Sequence, residues 1–450
     1  MKLFGTIKNA KGVSAYFFGI KVYEERKLEH ARKTYILGIK VRKKEYAKKA
    51  NQAAANLNMQ QRIDWRIRFA AAEQKILTLG LYYKDLPKEQ RYVLCFDYLE
   101  HPYAEAIDAW TFFKYLQKKG IPSKYVIRRE NALFKKLQES NQLKDILPVS
   151  SELHLLVDYP EIIAQSHLAV CSFNFELSRT FKQLPFLRFI FIEHGVTFIT
   201  DWTTRWYNGD KFDGKVVPTA PTKRHYERLG FNFDTCKPYY CGMPRWDNLS
   251  PAVPDKQERK IFIFFTGRLA FRRGREKRLE NRAEYVRRIL SFVNRLKELF
   301  RDRPHISLNI SFHHSLYEHD NNFDGNERFK DFNVVPMTEI STMVREADMC
   351  ITDFSSIGFD FLYRDVPVIY YCFDTDVKYP LNDDLIGQYA DKIERELYNC
   401  CRDEDTAVAK VKHYADCNFS LEQEFVKKND EIFWQRGNNC ERLWEMLNEE

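Results

Sequence analysis

The stretch Met349–Asp374, MCITDFSSIGFDFLYRDVPVIYYCFD, leaves this chain few choices of fold. Met349–Thr352 and Pro367–Tyr371 are apolar runs of strand length, separated by one helix-sized segment. Two buried strands joined by a helix pair in parallel, because a parallel connection needs a crossover rather than a hairpin. The first strand ends in a polar turn, Asp353-Phe354-Ser355-Ser356. A helix start offers unpaired N–H groups and the positive end of its dipole, and the serine hydroxyls add donors. Such a turn suits an anion, phosphate first. A plain N-cap serine leaves the same pattern.

The alternation extends along the chain. Tyr92–Phe96, Tyr125–Ile127, His167–Cys171, Leu187–Ile192, Val216–Thr219 and Tyr239–Gly242 read as strands. Ala104–Lys119 and Ala132–Glu139 read as helices between them. Past Ser250–Asp255, a Pro-containing linker, the strands Lys260–Thr266, Ile306–Phe312, Phe332–Val335 and Met349–Thr352 follow, with a long helix over Glu280–Phe300. The expected fold is α/β: two Rossmann-like domains facing a central cleft at the carboxyl ends of their strands. The expected divisions are 1–80, a basic extension with a helix over 46–78 that Gly80 and Pro87 close; 81–250; 251–417; and 418–450, charged, Trp-bearing helices docking across the halves.

Charge is uneven. Residues 1–50 hold 14 Lys/Arg against 4 Glu, while the whole chain is only +8. The body therefore carries no basic footprint for nucleic acid, and the basic segment stands apart. That segment has an internal echo, Leu3–Lys8, Phe17–Val22 and Ile36–Val41, each two apolar residues, a Gly, then a Lys. Aromatic and basic residues so mixed fit the surface of an anionic membrane; a small β-meander with a solvated basic face fits equally. No apolar run is long enough for a transmembrane helix, and Met1–Lys11 lacks the apolar core of a secretory signal. The ten cysteines form no CxxC pair, so reduced thiols are expected, with neither disulfide nor zinc. Nothing in the sequence sets an oligomeric state.

Candidate chemistry falls where strands end. Gly195 permits a tight turn exposing His194, an imidazole suited to general-base work near neutral pH; a His packed in a loop is the alternative. Thr266-Gly267-Arg268 follows the next domain's first strand, and a guanidinium there suits phosphate better than the trailing Arg272, Arg273 and Arg275. His313-His314, with His319 nearby, lack a carboxylate or Cys at ligand spacing, so a phosphate contact fits better than a metal. Glu339 lies past Phe332–Val335, where a carboxylate holds ribose in nucleotide-binding folds. Walker and GxSxG patterns are absent; Asp374-Thr375-Asp376 has DxD spacing but follows a strand of the second half. These parts suit transfer from a nucleotide-activated donor.

Read in order, these blocks resemble the CDP-glycerol glycerophosphotransferase family of teichoic-acid and capsule polymerases. Ile351–Ser356, Phe359-Asp360-Phe361 and Pro367–Tyr371, closed by Asp374, are similar to that family's ITDYSS, FDF and PIIFY block. His194-Gly195 resembles its WHG turn, Gly242–Asp247 its GxPRxD element, Thr266–Arg268 its TWR element, and His313 the His of its HP element. The chain departs at Glu193 and Gly267, where the family has Trp, at His314, where it has Pro, and at Val196–Ile199. The resemblance implies a GT-B-like enzyme that moves glycerol phosphate or ribitol phosphate from a CDP-activated donor to a hydroxyl of a glycan or lipid-linked acceptor, releasing CMP. It implies His194 as base, with His313, Arg268, Ser355 and Ser356 on the diphosphate and Glu339 on ribose. Thr266 and Asp353 join the nucleotide side, and Gly195, Arg245 and Asp360 complete the cleft. No cofactor is implied, though Mg²⁺ on the donor diphosphate is compatible. The expected place is the cytoplasmic face of the plasma membrane. A sugar-nucleotide glycosyltransferase on the same architecture and a non-catalytic assembly partner are the other readings.

Overall fold

The computed structural model describes residues 59–97, 99, 107–172, 178–197, 211–254, 256–268, 278–312, 329–377 and 385–449, with backbone alone for 4–9, 12–17, 20–28, 31–36 and 39–41. His313, His314, His319, Arg272, Arg273 and Arg275 lie outside the described residues. The chain divides into two compact units, Met1–Arg91 with Val149–Ser166, and Tyr92–Pro148 with His167–Glu450.

The first unit opens with five antiparallel strands in sequence order: β1 (Phe4–Asn9), β2 (Gly12–Phe17), β3 (Ile20–Leu28), β4 (Ala31–Ile36) and β5 (Ile39–Val41). Two of the three sequence echoes span hairpin junctions, β2 to β3 and β4 to β5. A helix follows over Met59–Tyr83. It runs straight through buried Gly80 rather than closing there. One interior Gly costs only about 1 kcal/mol relative to Ala, and packing overrides that. The helix packs on two short helices, Glu152–Asp158 and Pro160–Gln165. Trp65 meets the His154 ring at 4.7 Å, and buried Arg91 donates to the carbonyls of Lys84 (3.2 Å) and Ser166 (3.0 Å).

The second unit holds two sheets. The first comprises β6 (Tyr92–Phe96), β7 (Ser123–Arg128), β8 (Ile146–Val149), β9 (Ser166–Cys171), β10 (Arg188–Phe191), β11 (Gly214–Val216) and β12 (Lys237–Tyr239), in the order β12-β11-β10-β9-β6-β7-β8. The second comprises β13 (Arg259–Phe265), β14 (Ile306–Phe312), β15 (Asn333–Val334), β16 (Met349–Thr352), β17 (Val368–Tyr371) and β18 (Cys400–Cys401), in the order β15-β14-β13-β16-β17-β18, every pair parallel. The run Ile261–Phe265 in β13 is continuously apolar and buried, as a central parallel strand covered on both faces must be.

Each sheet reverses its strand order once, between β6 and β9 and between β13 and β16. Open α/β sheets bind ligands at such reversals, at the carboxyl ends of the strands. Both reversals are bridged by a hydroxyl donating to a carboxylate: Ser172 to Asp97 at 2.5 Å, Thr266 to Asp353 at 2.7 Å. The end of the chain serves both sheets. Ile432 and Phe433 join the core of the second, while Cys440, Leu443 and Leu447 of the Asn439–Asn448 helix complete the core of the first. Among the described residues no helix is long and apolar enough to cross a membrane.

Candidate active site

Two turns at strand ends meet in the second unit. After β10, Glu193 takes a left-handed conformation (φ 65°), His194 is exposed, and Gly195 is buried. After β16 comes Asp353–Ser356. A Cβ on Gly195 would stand 2.5 Å from Ser356 Oγ and 3.2 Å from its Cβ. A side chain at position 195 would displace the Ser356 hydroxyl, so glycine is what lets the His194 loop sit this close to the serine turn.

The serine turn is not a simple cap. The helix begins at Gly358, and its N-cap position, Ile357, makes no side-chain cap bond. Ser355 is buried and accepts from the Ile357 N–H at 3.4 Å. The N–H groups of Gly358, Phe359 and Asp360 go to the carbonyls of Ser355, Ser356 and Ile357, three residues back. The first turn is therefore tightened, and Ser356, half-buried, faces the Gly195 loop.

Arg245 joins the elements that carry these turns. Its Nη1 donates to Asp108 Oδ2 (2.6 Å), at the start of the Asp108–Lys118 helix beside the first sheet. Its Nε and Nη2 donate to Asp360 Oδ1 and Oδ2 (3.0 and 3.2 Å), in the helix after β16. Nη1 also reaches the His194 carbonyl at 3.4 Å. Trp246 Nε1 donates to Asp360 at 2.5 Å, and its ring stacks on Tyr363 at 4.7 Å. Asp247 caps the Asn439–Asn448 helix, accepting from the N–H groups of Asn439 (2.7 Å) and Cys440 (2.8 Å). A Cβ on Gly242 would strike Asn439 Oδ1. The segment Gly242–Asp247 is thus a junction: glycine for close approach, arginine between two carboxylates, and aspartate holding a distant helix.

Burial pushes the Asp108 carboxyl up to about 6; Arg245 pulls it down and Asp97 pushes it up. Unfolded, it titrates near its ordinary value of about 4. Between those pH values the folded protein holds a proton that the unfolded chain has released. Its stabilising contribution is full below about pH 4 and is lost as pH rises through 6. The variant Asp108→Asn is expected to remove about 2 kcal/mol of that pH dependence, read as a smaller difference between urea midpoints at pH 4.5 and 6.5.

Arg268 lies 4% exposed between two fully buried carboxylates. Its Nε and Nη2 take Asp374 (2.7 and 2.9 Å), and its Nη1 takes Asp353 (2.7 Å) and the Thr266 carbonyl (2.8 Å). Phe354 covers it at 4.5 Å and Tyr285 at 5.1 Å. Burial works against its charge, but Asp374 and Asp353 outweigh it and hold the guanidinium protonated well above its usual range. Asp353 is further engaged by the Thr266 N–H (3.1 Å) and hydroxyl. Thr266, Arg268, Asp353 and Asp374 therefore form one framework under the serine turn. Glu339 is exposed at the end of a 3₁₀ turn, Met337–Glu339. Placement of His313 against these groups lies outside the described residues.

Three residues went unremarked in the sequence: Asp108, Trp246 as the Asp360 partner, and Lys215, whose buried ammonium lies 2.8 Å from Glu193 Oε1. A lysine inside Gly214–Val217 is the one with a legible signal, since such a charge must find a buried partner.

The family model for CDP-Glycerol:Poly(glycerophosphate) glycerophosphotransferase matches residues 114–449. The chain belongs to that family. This glycerophosphotransferase-family chain is 23% identical over 353 residues to the minor teichoic acid biosynthesis protein GgaB of Bacillus subtilis (strain 168), covering 74% of this chain and 37% of that protein. It thus spans little more than a third of that curated relative. Among solved structures it is similar to the wall teichoic acid polymerase TagF soaked with CDPG. One such structure gives a TM-score of 0.56 at 14% identity and another 0.52 at 13%, each covering 86% of this chain and 97% of that one. The two parallel sheets are accordingly a GT-B-like pair.

Proposed function

We propose that this chain transfers glycerol phosphate, or a related polyol phosphate, from a CDP-activated donor to a hydroxyl of a glycan or lipid-linked acceptor, in the synthesis of a teichoic-acid-like polymer. The family match over residues 114–449 carries the reading. The closure of the His194–Gly195 turn on Ser356 supports it, because it sets the loop that carries exposed His194 against a hydroxyl-bearing turn at a sheet's reversal point.

In this reading the acceptor hydroxyl attacks the phosphorus that carries the polyol. His194 takes the hydroxyl proton. The new bond is acceptor oxygen to phosphorus; the bond broken runs from that phosphorus to the bridging oxygen, which leaves on CMP. Ser355, Ser356 and His313 are proposed to hold the diphosphate, and Glu339 the ribose. Thr266, Arg268 and Asp353 act on the nucleotide side by holding the turn in place. Mg²⁺, where it takes part, is proposed to travel on the donor diphosphate. The basic meander, +10 over residues 1–50, is proposed to hold the enzyme at the anionic cytoplasmic leaflet.

One experiment tests these points together. Full-length protein and a form lacking residues 1–45 are mixed with anionic vesicles and with CDP-glycerol, CDP-ribitol or UDP-sugars. CMP release from a CDP-polyol, and pelleting with vesicles only when residues 1–45 are present, are expected. Turnover with UDP-sugars alone would overturn the transfer reading, and equal pelleting of both forms the membrane role.

A further inference from the structure

Glu193 occupies the position before His194 in a backbone conformation that suits glycine or asparagine (φ 65°). It is nevertheless a carboxylate, and it is fully buried. Lys215 of β11 places Nζ 2.8 Å from Glu193 Oε1, both side chains wholly shielded from solvent. The Tyr226 hydroxyl (2.8 Å) and the Thr197 hydroxyl (3.1 Å) donate to the same oxygen. Those two hydroxyls lie 2.6 Å apart. The lysine ammonium is caged by rings: Tyr226 at 4.3 Å, Phe191 at 5.3 Å and Phe231 at 5.4 Å.

A buried ion pair is a poor source of net stability, because desolvation offsets its attraction. A left-handed backbone adds strain for any residue with a Cβ. What this arrangement does supply is geometry. β10 and β11 are paired, with Phe191 opposite Lys215, so the ammonium is fixed by the sheet itself. Glu193 is tied to that fixed point, and the next residue is the exposed His194. Thr197 ties the far end of the loop to the same carboxylate. The loop His194–Val196 is thereby fastened at both ends, with Gly195 pressed on Ser356 between them.

We infer that Glu193, fastened by Lys215, is the positioning residue for His194 in the transfer reaction. It touches no substrate; it acts by fixing the turn that carries the imidazole. This rests on the proposed role of His194 as base.

The test compares four full-length variants by steady-state CMP release from CDP-glycerol and by thermal unfolding. Glu193→Gly, which the backbone favours, is expected to lower kcat about 10²-fold while KM for the donor stays within about threefold, as displaced catalytic groups do. Glu193→Leu with Lys215→Met removes the pair without stranding a charge. It is expected to melt near the wild-type temperature yet keep the kcat defect. Glu193→Gln, which retains acceptor capacity toward Tyr226 and Thr197, is expected to recover part of kcat over the glycine variant. If kcat follows the melting temperature across the set, the pair is structural only and the inference is overturned. The fourth variant, His194→Ala, separates the two readings. If it keeps full activity, the base assignment fails. If it is inactive while Glu193→Gly is fully active, only the positioning role fails.

Discussion

Replacing Arg268 with methionine is expected to cost about 3–5 kcal/mol of stability, a large fraction of what a domain possesses. The guanidinium separates Asp353 and Asp374, both fully buried, and methionine would leave the two carboxylates facing each other with no cation between them. Lysine is not expected to rescue it, since a point charge cannot span two carboxylates as the fork does. Urea unfolding of the wild type and both variants reads the effect. The sequence suggests a different role for this residue, direct contact with the donor diphosphate. A variant that unfolds like the wild type but shows a raised donor KM would restore that role and remove the framework one.

His194→Ala is expected to lower the rate of CMP release about 10²–10⁴-fold, the usual contribution of a general base. The same change should move the unfolding midpoint hardly at all, because the side chain is exposed. Arg268 and His194 are thus expected to fail in opposite ways, one in stability and one in rate. Full transfer activity in the His194 variant would take away its assigned role.

The architecture was largely legible because strand runs such as Ile261–Phe265 and Met349–Ile351 are continuously apolar, and helix-sized segments separate them. Short pieces without a clear period escaped notice, among them β8, β18 and the helices over 152–165. The site was legible only as a set of strand ends. Its junctions were not: Arg245 and Asp108 lie 137 residues apart, and Arg245 and Asp360 lie 115 apart. No local pattern marks such partners. Arg268 illustrates the opposite difficulty, since an arginine at a strand end looks the same whether it faces a phosphate or is spent between two aspartates.

The docking of the Asn439–Asn448 helix on the first sheet also bears on synthesis. The last strand of that sheet, β12, ends at Tyr239, and the helix that completes its core arrives about 200 residues later. At about 5–20 residues per second, the half made first waits roughly 10–40 s on the ribosome with apolar surface uncovered. The second sheet, whose last strand ends at Cys401, gains Ile432 and Phe433 about 30 residues later and faces a shorter wait. The chain is therefore most exposed to chaperone capture and misassembly while its second half is still being made, and a stop codon just before Asn439 would injure the first sheet rather than the second.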